Sequence, residues 1–357
     1  MTDAHLMLAL AEGFGESPIQ GLLAPDVDPE ALLASPPAPP HVPPAAAARL
    51  RRRDLASCAD EIRRRATAQG VTVLTRLDSC WPEGLRRLPD GPLVLFARGD
   101  TSALVQSPST TMVGSRTPTP YGAEAARLLA RAMAGCGVTL WSGLARGIDA
   151  LAHEACAHTS SATVAVLAGG LDSIYPPEHE GLAENIVSAA GCIVSELPPG
   201  WRTRRGHFIR RNRIIAAGTP ATVVVEGSLV SGALRTARFA AACGADVHCV
   251  PGPWLSERSR GCHRLISEGA DVIESVPALL QALGIASDSA HAAIRLTLSA
   301  NEQAVLRLLS DGPRPTDLLR RESGLDSGAF LRVLLELQRR GTVQRAPGDL
   351  WCLGVTS

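Results

Sequence analysis

Three arginines, Arg210, Arg211 and Arg213, stand in the stretch GHFIRRNRIIAAG (residues 206–218), directly before Ile214 and Ile215. A guanidinium is a planar fork of N–H donors, and at this density its chemistry is recognition of phosphate or carboxylate. Arg202, Arg204 and Arg205 precede the three, and no acid lies between Glu196 and Glu226. Something anionic must answer them. A solvated helix face also tolerates such a run, but Ile214 and Ile215 bury the segment and fix the arginines in place. Phe208, beside them, offers a ring on which a nucleobase can stack, although a single Phe serves as often in a core.

Glycine supplies the second ingredient. Four turns share one vocabulary: VGSR (113–116), SGLARGID (142–149), AGGLD (168–172) and VEGSLVSGA (225–233). Each follows a β-branched, apolar run. Where such turns crown a parallel sheet, small residues let backbone N–H groups approach an anion. Any one glycine here serves a tight turn equally well, but four such turns together point to a cradle. The candidate contacts are Gly114, Ser115, Arg116, Gly143, Arg146, Gly147, Gly169, Gly170, Ser231 and Gly232, set against the arginine segment. Asp149, Asp172 and Glu226 sit at the same strand ends, where acids either react or orient the turns and arginines.

Other chemistries are disfavoured. The 357 residues contain no lysine, which removes the P-loop and Schiff-base mechanisms. None of the turns has G-x-G-x-x-G spacing with a following ribose acid, so neither NAD nor any other cofactor is expected. In HEACAH (153–158) the histidines lie five apart, wrong for two zinc ligands on one helix face, and no metal site is expected. The nine cysteines are odd in number and never spaced C-x-x-C, consistent with reduced core residues. Lys+Arg and Asp+Glu balance at 35 each, so an anion site must arise from local clustering. Neither a signal sequence nor a membrane span is legible, and a cytoplasmic protein is expected.

The elements that must position these residues follow from periodicity. Residues 1–69 read as a helical region containing the Pro/Ala-rich linker ASPPAPPHVPPAAAA (34–48), with one helix running from there towards Gly70. From 70 to 285, nine short apolar runs alternate with amphipathic helices, predicting a doubly wound, mostly parallel α/β sheet. A small polar linker begins at 286. Residues 294–357 show three helical patterns and two strands about a Pro-Gly turn, the winged-helix layout.

With these residues in place the chain resembles the DNA-processing protein A (DprA/Smf) family. The resemblance runs through DSCWPEGL (78–85), VGSRTPTPYG (113–122), SGLARGIDALAH (142–153), GGLDSIYPPEHEGL (169–182), FIRRNRIIA (208–216), VVVEGSLVSGALRTA (223–237) and GCHRLISEGA (261–270). His179 and His263 stand where the family usually has Asn. The resemblance implies an extended Rossmann-like domain that binds single-stranded DNA, with Arg116 and the segment Phe208, Arg210, Arg211, Asn212 and Arg213 as main contacts. It further implies a homodimer and the loading of RecA recombinase in natural transformation, with no catalytic step. Alanine at Arg116 or Arg211 is then expected to weaken binding while sparing the fold. The alternative is a nucleotide-acting enzyme of the phosphoribohydrolase type, using Glu226 in the same pocket. A third reading has the winged helix bind duplex DNA through Arg332, Arg339 and Arg340.

Overall fold

The structure is a computed structural model that describes residues 3–14, 28–35, 42–157, 159, 161–286, 299–310, 312–339 and 342–353. His158, Arg340, residues 36–41 of the first expected linker and 287–293 of the second lie outside the described residues. The chain divides into two compact units, Met1–Ile273 and Glu274–Ser357, and the N-terminal helices belong to the first.

All nine apolar runs become strands of one sheet. They are β1 (Thr72–Thr75), β2 (Val94–Gly99), β3 (Ser109–Val113), β4 (Thr139–Ser142), β5 (Thr163–Leu167), β6 (Cys192–Ser195), β7 (Ala221–Val224), β8 (Asp246–Cys249) and β9 (Asp271–Val272). The order is β1-β2-β6-β5-β4-β3-β7-β8-β9. Every pairing from β6 to β9 is parallel, whereas β2 runs antiparallel to both β6 and β1. Strand β5 is buried along its whole length. Its alternation sends Val164 and Val166 to one core and Ala165 and Leu167 to the other. Both faces are therefore covered, which is why these strands read as unbroken apolar runs.

The first face is covered by the pair of helices α9 (Arg205–Ala217) and α10 (Gly232–Ala242), through residues such as Ile214, Ile215 and Leu234. The second carries the N-terminal helices Ala4–Ala11, Pro29–Ala34, Pro44–Leu50 and Leu55–Ala68. Phe14 docks this layer, its ring edge-on to Trp201 at 5.2 Å and tilted against Phe96 at 6.0 Å. The single helix expected before Gly70 is broken at residues 51–54. There Arg52 folds back on Asp54, with Nε donating at 2.8 Å, and the chain turns between two amphipathic segments.

Within the sheet, β3 is the pivot. Strands β4, β5 and β6 follow on one side, and β7, β8 and β9 on the other. The chain direction of addition reverses between β3 and β7, and doubly wound sheets open a crevice at that switch point, beyond the carboxyl ends of the strands.

Besides the helix Val276–Ala282, the second unit contains the three helices Ala300–Leu309, Thr316–Ser323 and Ser327–Arg339. A three-stranded antiparallel sheet completes it, with β12 (Leu350–Leu353) between β10 (Arg314–Pro315) and β11 (Val343–Ala346). Phe330, Leu334, Leu337 and Trp351 form its core. The two-residue strand β10 carries too little pattern to be legible in the sequence. The leucines of the third helix divide, with Leu334 and Leu337 buried while Leu331 and Leu335 face solvent. No described helix is long and apolar enough to cross a membrane.

Candidate nucleic-acid interface

A cleft of about 630 Å³ opens at the switch point. Its near wall is the turn after β3, with Gly114, Ser115, Arg116 and Thr117; its far wall is the loop after β7, with Ser228, Val230, Ser231 and Gly232. Two interactions hold the near turn. Ile148 N–H donates to Ser115 O at 3.1 Å, and Gly147 lies so close to Ser115 O that a side chain would collide with it. Gly147 also has φ +77°, a left-handed conformation that glycine adopts freely.

Helix α9 sorts its residues by phase. Phe208, Arg211, Asn212 and Ile215 follow i, i+3, i+4, i+7 spacing, and all four line the cleft. Arg210 and Arg213, three apart, share a different face and both meet Glu196. Arg210 Nη2 donates to Glu196 Oε1 at 2.9 Å, and Arg213 Nη2 donates to Oε1 and Oε2 at 2.7 and 2.8 Å. Arg213 is buried. The anion that answers these two arginines is thus internal, the last acid before the basic run.

Arg211 is buried too, on the cleft floor. Its Nη1 donates to Gly143 O at 2.7 Å and to Val166 O. A Cβ on Gly143 would fall 2.6 Å from that guanidinium, so glycine here makes room for the arginine. Desolvation lowers the Arg211 pKa to about 10, partly offset by Asp149. Asp149 is pushed the opposite way by its own burial, against the pull of Arg211 and of backbone N–H donors at Gly143 (3.1 Å) and Ala145 (3.4 Å). The expectation that Arg211 is dispensable to the fold is corrected by these contacts.

Arg116 stands at the rim of the cleft. It is exposed, and its guanidinium carbon lies 5.3 Å from the centroid of Phe208. Phe208 in turn meets Tyr175 edge-to-face at 5.5 Å, and Tyr175 is half exposed. A cation–π pair extended by a second ring makes a rim where bases can stack above phosphate donors.

The other turns have different duties. Arg146 is paired with Glu178 at the surface. Gly169 and Gly170 lie against Thr203 and Pro198, with Gly170 N–H donating to Trp201 O at 2.9 Å, and neither lines the cleft. Asp172 accepts from Gly200 N–H at 2.8 and 2.9 Å. Glu226 is buried and accepts from Thr119 N–H at 2.9 Å and Thr119 Oγ1 at 2.7 Å. Thr119 caps the helix Pro120–Gly135, so Glu226 ties the loop after β7 to the turn after β3. Ser231 caps α10 by accepting from Leu234 N–H at 3.4 Å, and Asn212 Nδ2 donates to Gly232 O at 3.4 Å.

Two cleft arginines escaped the sequence reading. Arg235 is exposed one turn into α10, and Arg258 donates to Thr117 Oγ1 at 3.0 Å. Arg235 was detectable from helical phase, standing three residues beyond Gly232; Arg258 sits in a loop with no period. Among the described residues, neither these two nor Arg116 pairs with a carboxylate. His153 is a buried structural residue whose Nδ1 meets Thr163 Oγ1 at 2.7 Å. His179 and His263 each bond a backbone carbonyl, Leu144 O at 2.9 Å and Gly252 O at 3.0 Å, as an asparagine amide would. Among the described residues no group of His, Cys, Asp and Glu is placed to hold a metal ion.

Comparison with known proteins fits this geometry. The family model for DNA recombination-mediator protein A matches residues 72–284, and that for the DprA winged helix domain matches 289–349. A Mycobacterium tuberculosis chain named as a DNA processing protein DprA is 36% identical over 315 residues, covering 83% of this chain and 80% of that one. Protein Smf of Escherichia coli is 34% identical over 276 residues, covering 75% and 74%. The solved DprA of Streptococcus pneumoniae superposes with TM-score 0.62 at 28% identity, over 82% of this chain and 98% of that one. The Helicobacter pylori DprA, solved for its single-stranded DNA binding mode, superposes with TM-score 0.54 at 28% identity, over 60% and 95%. The chain belongs to the DNA recombination-mediator protein A family.

Proposed function

We propose that this protein binds single-stranded DNA along the switch-point cleft and presents it to a RecA-type recombinase, without itself catalysing a reaction. One observation carries the reading. Arg116, Arg235 and Arg258 ring the cleft with no carboxylate partner among the described residues, while the arginines that do have one turn away from it. Backbone N–H groups at the start of α10 add a second source of positive potential. Phe208 and Tyr175 supply base-stacking surfaces that no sequence of bases is needed to satisfy. The single-stranded DNA binding of the Helicobacter pylori relative supports the assignment. The reading includes a cytoplasmic homodimer, with mass by light scattering as its check.

The test is a fluorescence anisotropy titration of labelled single-stranded and duplex oligonucleotides, with and without the host recombinase. Preference for the single strand and faster recombinase filament growth in the protein's presence are expected. Equal affinity for duplex, or no effect on filament growth, would refute the corresponding half of the proposal.

One observation favours a nucleotide-acting enzyme instead. Asp149 is a buried carboxyl on the cleft floor with its pKa raised, a property often found in acid–base catalysts. Against it, Glu226 is occupied in holding Thr119. Release of free base from nucleoside monophosphates, lost in Asp149→Asn, would establish the enzyme.

A further inference from the structure

The loop after β8 holds a tryptophan out in water. Trp254 is 79% exposed and its neighbour Leu255 77%, whereas Trp81, Trp141 and Trp351 are buried. Large apolar side chains left in solvent on a fixed segment are informative, because nothing in the fold requires them there.

The segment is firmly fixed. Tyr121 Oη donates to Pro251 O at 2.6 Å, and His263 Nε2 bonds Gly252 O at 3.0 Å. At the other end, Gly227 N–H donates to Arg258 O at 2.7 Å, joining this loop to the far wall of the cleft. Between these anchors Ser256 N–H donates to Pro253 O at 2.9 Å and Ser259 N–H to Ser256 O at 3.0 Å. The indole therefore rides on a closed turn, four residues from a cleft arginine. Val230, 87% exposed and also lining the cleft, comes from the adjoining loop.

Sheet order gives the placement. Reading β5-β4-β3-β7-β8, the loop bearing Tyr175 follows β5 and the loop bearing Trp254 follows β8, both at carboxyl ends. The two parent strands lie on opposite sides of the crevice between β3 and β7, four strand spacings or roughly 19 Å apart. We propose that Trp254 is a second nucleobase platform, receiving a base of the same strand after its phosphates have crossed Arg116, Arg235 and Arg258. The inference rests on the single-strand reading above and deepens it, since it assigns the strand a second aromatic station and a minimum length.

The experiment uses the full chain, with tryptophan emission and the anisotropy of an end-labelled oligothymidylate recorded together over a series of lengths. Oligonucleotides too short to bridge the cleft are expected to bind without changing emission, and longer ones to quench it. In Trp254→Ala the length-dependent quench disappears and long strands bind about tenfold more weakly, while short strands are unaffected. Trp254→Phe restores the affinity but not the emission change. Binding of long strands that leaves emission and the Ala variant's affinity unchanged would overturn the platform and leave the single-strand reading standing. Emission that varies with protein concentration in the absence of DNA would place a second copy over the indole and also overturn it. No anisotropy change at any length would overturn both.

Discussion

The guanidinium of Arg211 meets the carbonyl of Gly143 at 2.7 Å, in the floor of the cleft rather than at its rim. The strand-end glycine and the helical arginine are one unit, since a methyl group at 143 would occupy the guanidinium's place. Gly143→Ala and Arg211→Ala are each expected to destabilise the first unit by at least about 2 kcal/mol, the cost of buried polar groups left unbonded. Thermal unfolding measures this, and an unchanged melting temperature in either variant would contradict the assignment.

Arg116 gives the contrasting case. Exposed and in no carboxylate ion pair among the described residues, it gives up on truncation little beyond its surface contact with the Phe208 ring. Arg116→Ala is expected to weaken oligonucleotide binding roughly tenfold or more, through one lost charge-assisted contact of about 1.5–3 kcal/mol, at unchanged melting temperature.

The salt dependence follows from the same count. Three phosphate-facing arginines imply a slope of about −2 in log K against log salt, or close to a 20-fold loss between 50 and 200 mM. All six arginines of residues 202–213 engaging phosphate would instead give a slope near −4. Titrations at several salt concentrations separate the two arrangements.

Glu196 is predicted to matter for folding alone. Glu196→Ala removes the carboxylate shared by Arg210 and the buried Arg213 and leaves Arg213 with Asp90 at 3.4 Å, and removing one partner of a buried pair costs up to about 3–5 kcal/mol. Urea unfolding should show that loss.

His153 makes stability depend on pH. Burial holds its folded-state pKa down to about 3, against 6.5 for the free side chain. Between those values the unfolded chain carries the extra proton, so acid favours unfolding. Its contribution falls as pH drops below 6.5, by about 1.4 kcal/mol per unit, or roughly 2 kcal/mol at pH 5. His153→Gln should flatten this part of the stability curve, seen by comparing unfolding free energies at pH 7 and 5.

The sheet was legible because its central strands are short, apolar and close to glycine, and burial on both faces leaves that signature undiluted, whereas both residues of the edge strand β9 are exposed. Glycine turns and basic residues likewise marked the rim where Arg116 and Ser231 lie. What spacing alone hid was helical phase. Spacing groups Arg210 and Arg213 with Arg211 as one charged cluster, yet one step around α9 separates a pair held by Glu196 from a side chain in the cleft floor. Glu196, at the end of β6, reaches those arginines through folding rather than proximity in the chain. Arg258 had no periodic neighbour to betray it.

Glu226, whose carboxylate clasps Thr119 from across the cleft, sets the gap between the two walls before any strand arrives. The groove is then a gauge with a fixed opening, and its ligand need only slide in. Encounter should accordingly proceed in a single kinetic phase whose rate climbs linearly with oligonucleotide concentration, with no slower rearrangement behind it.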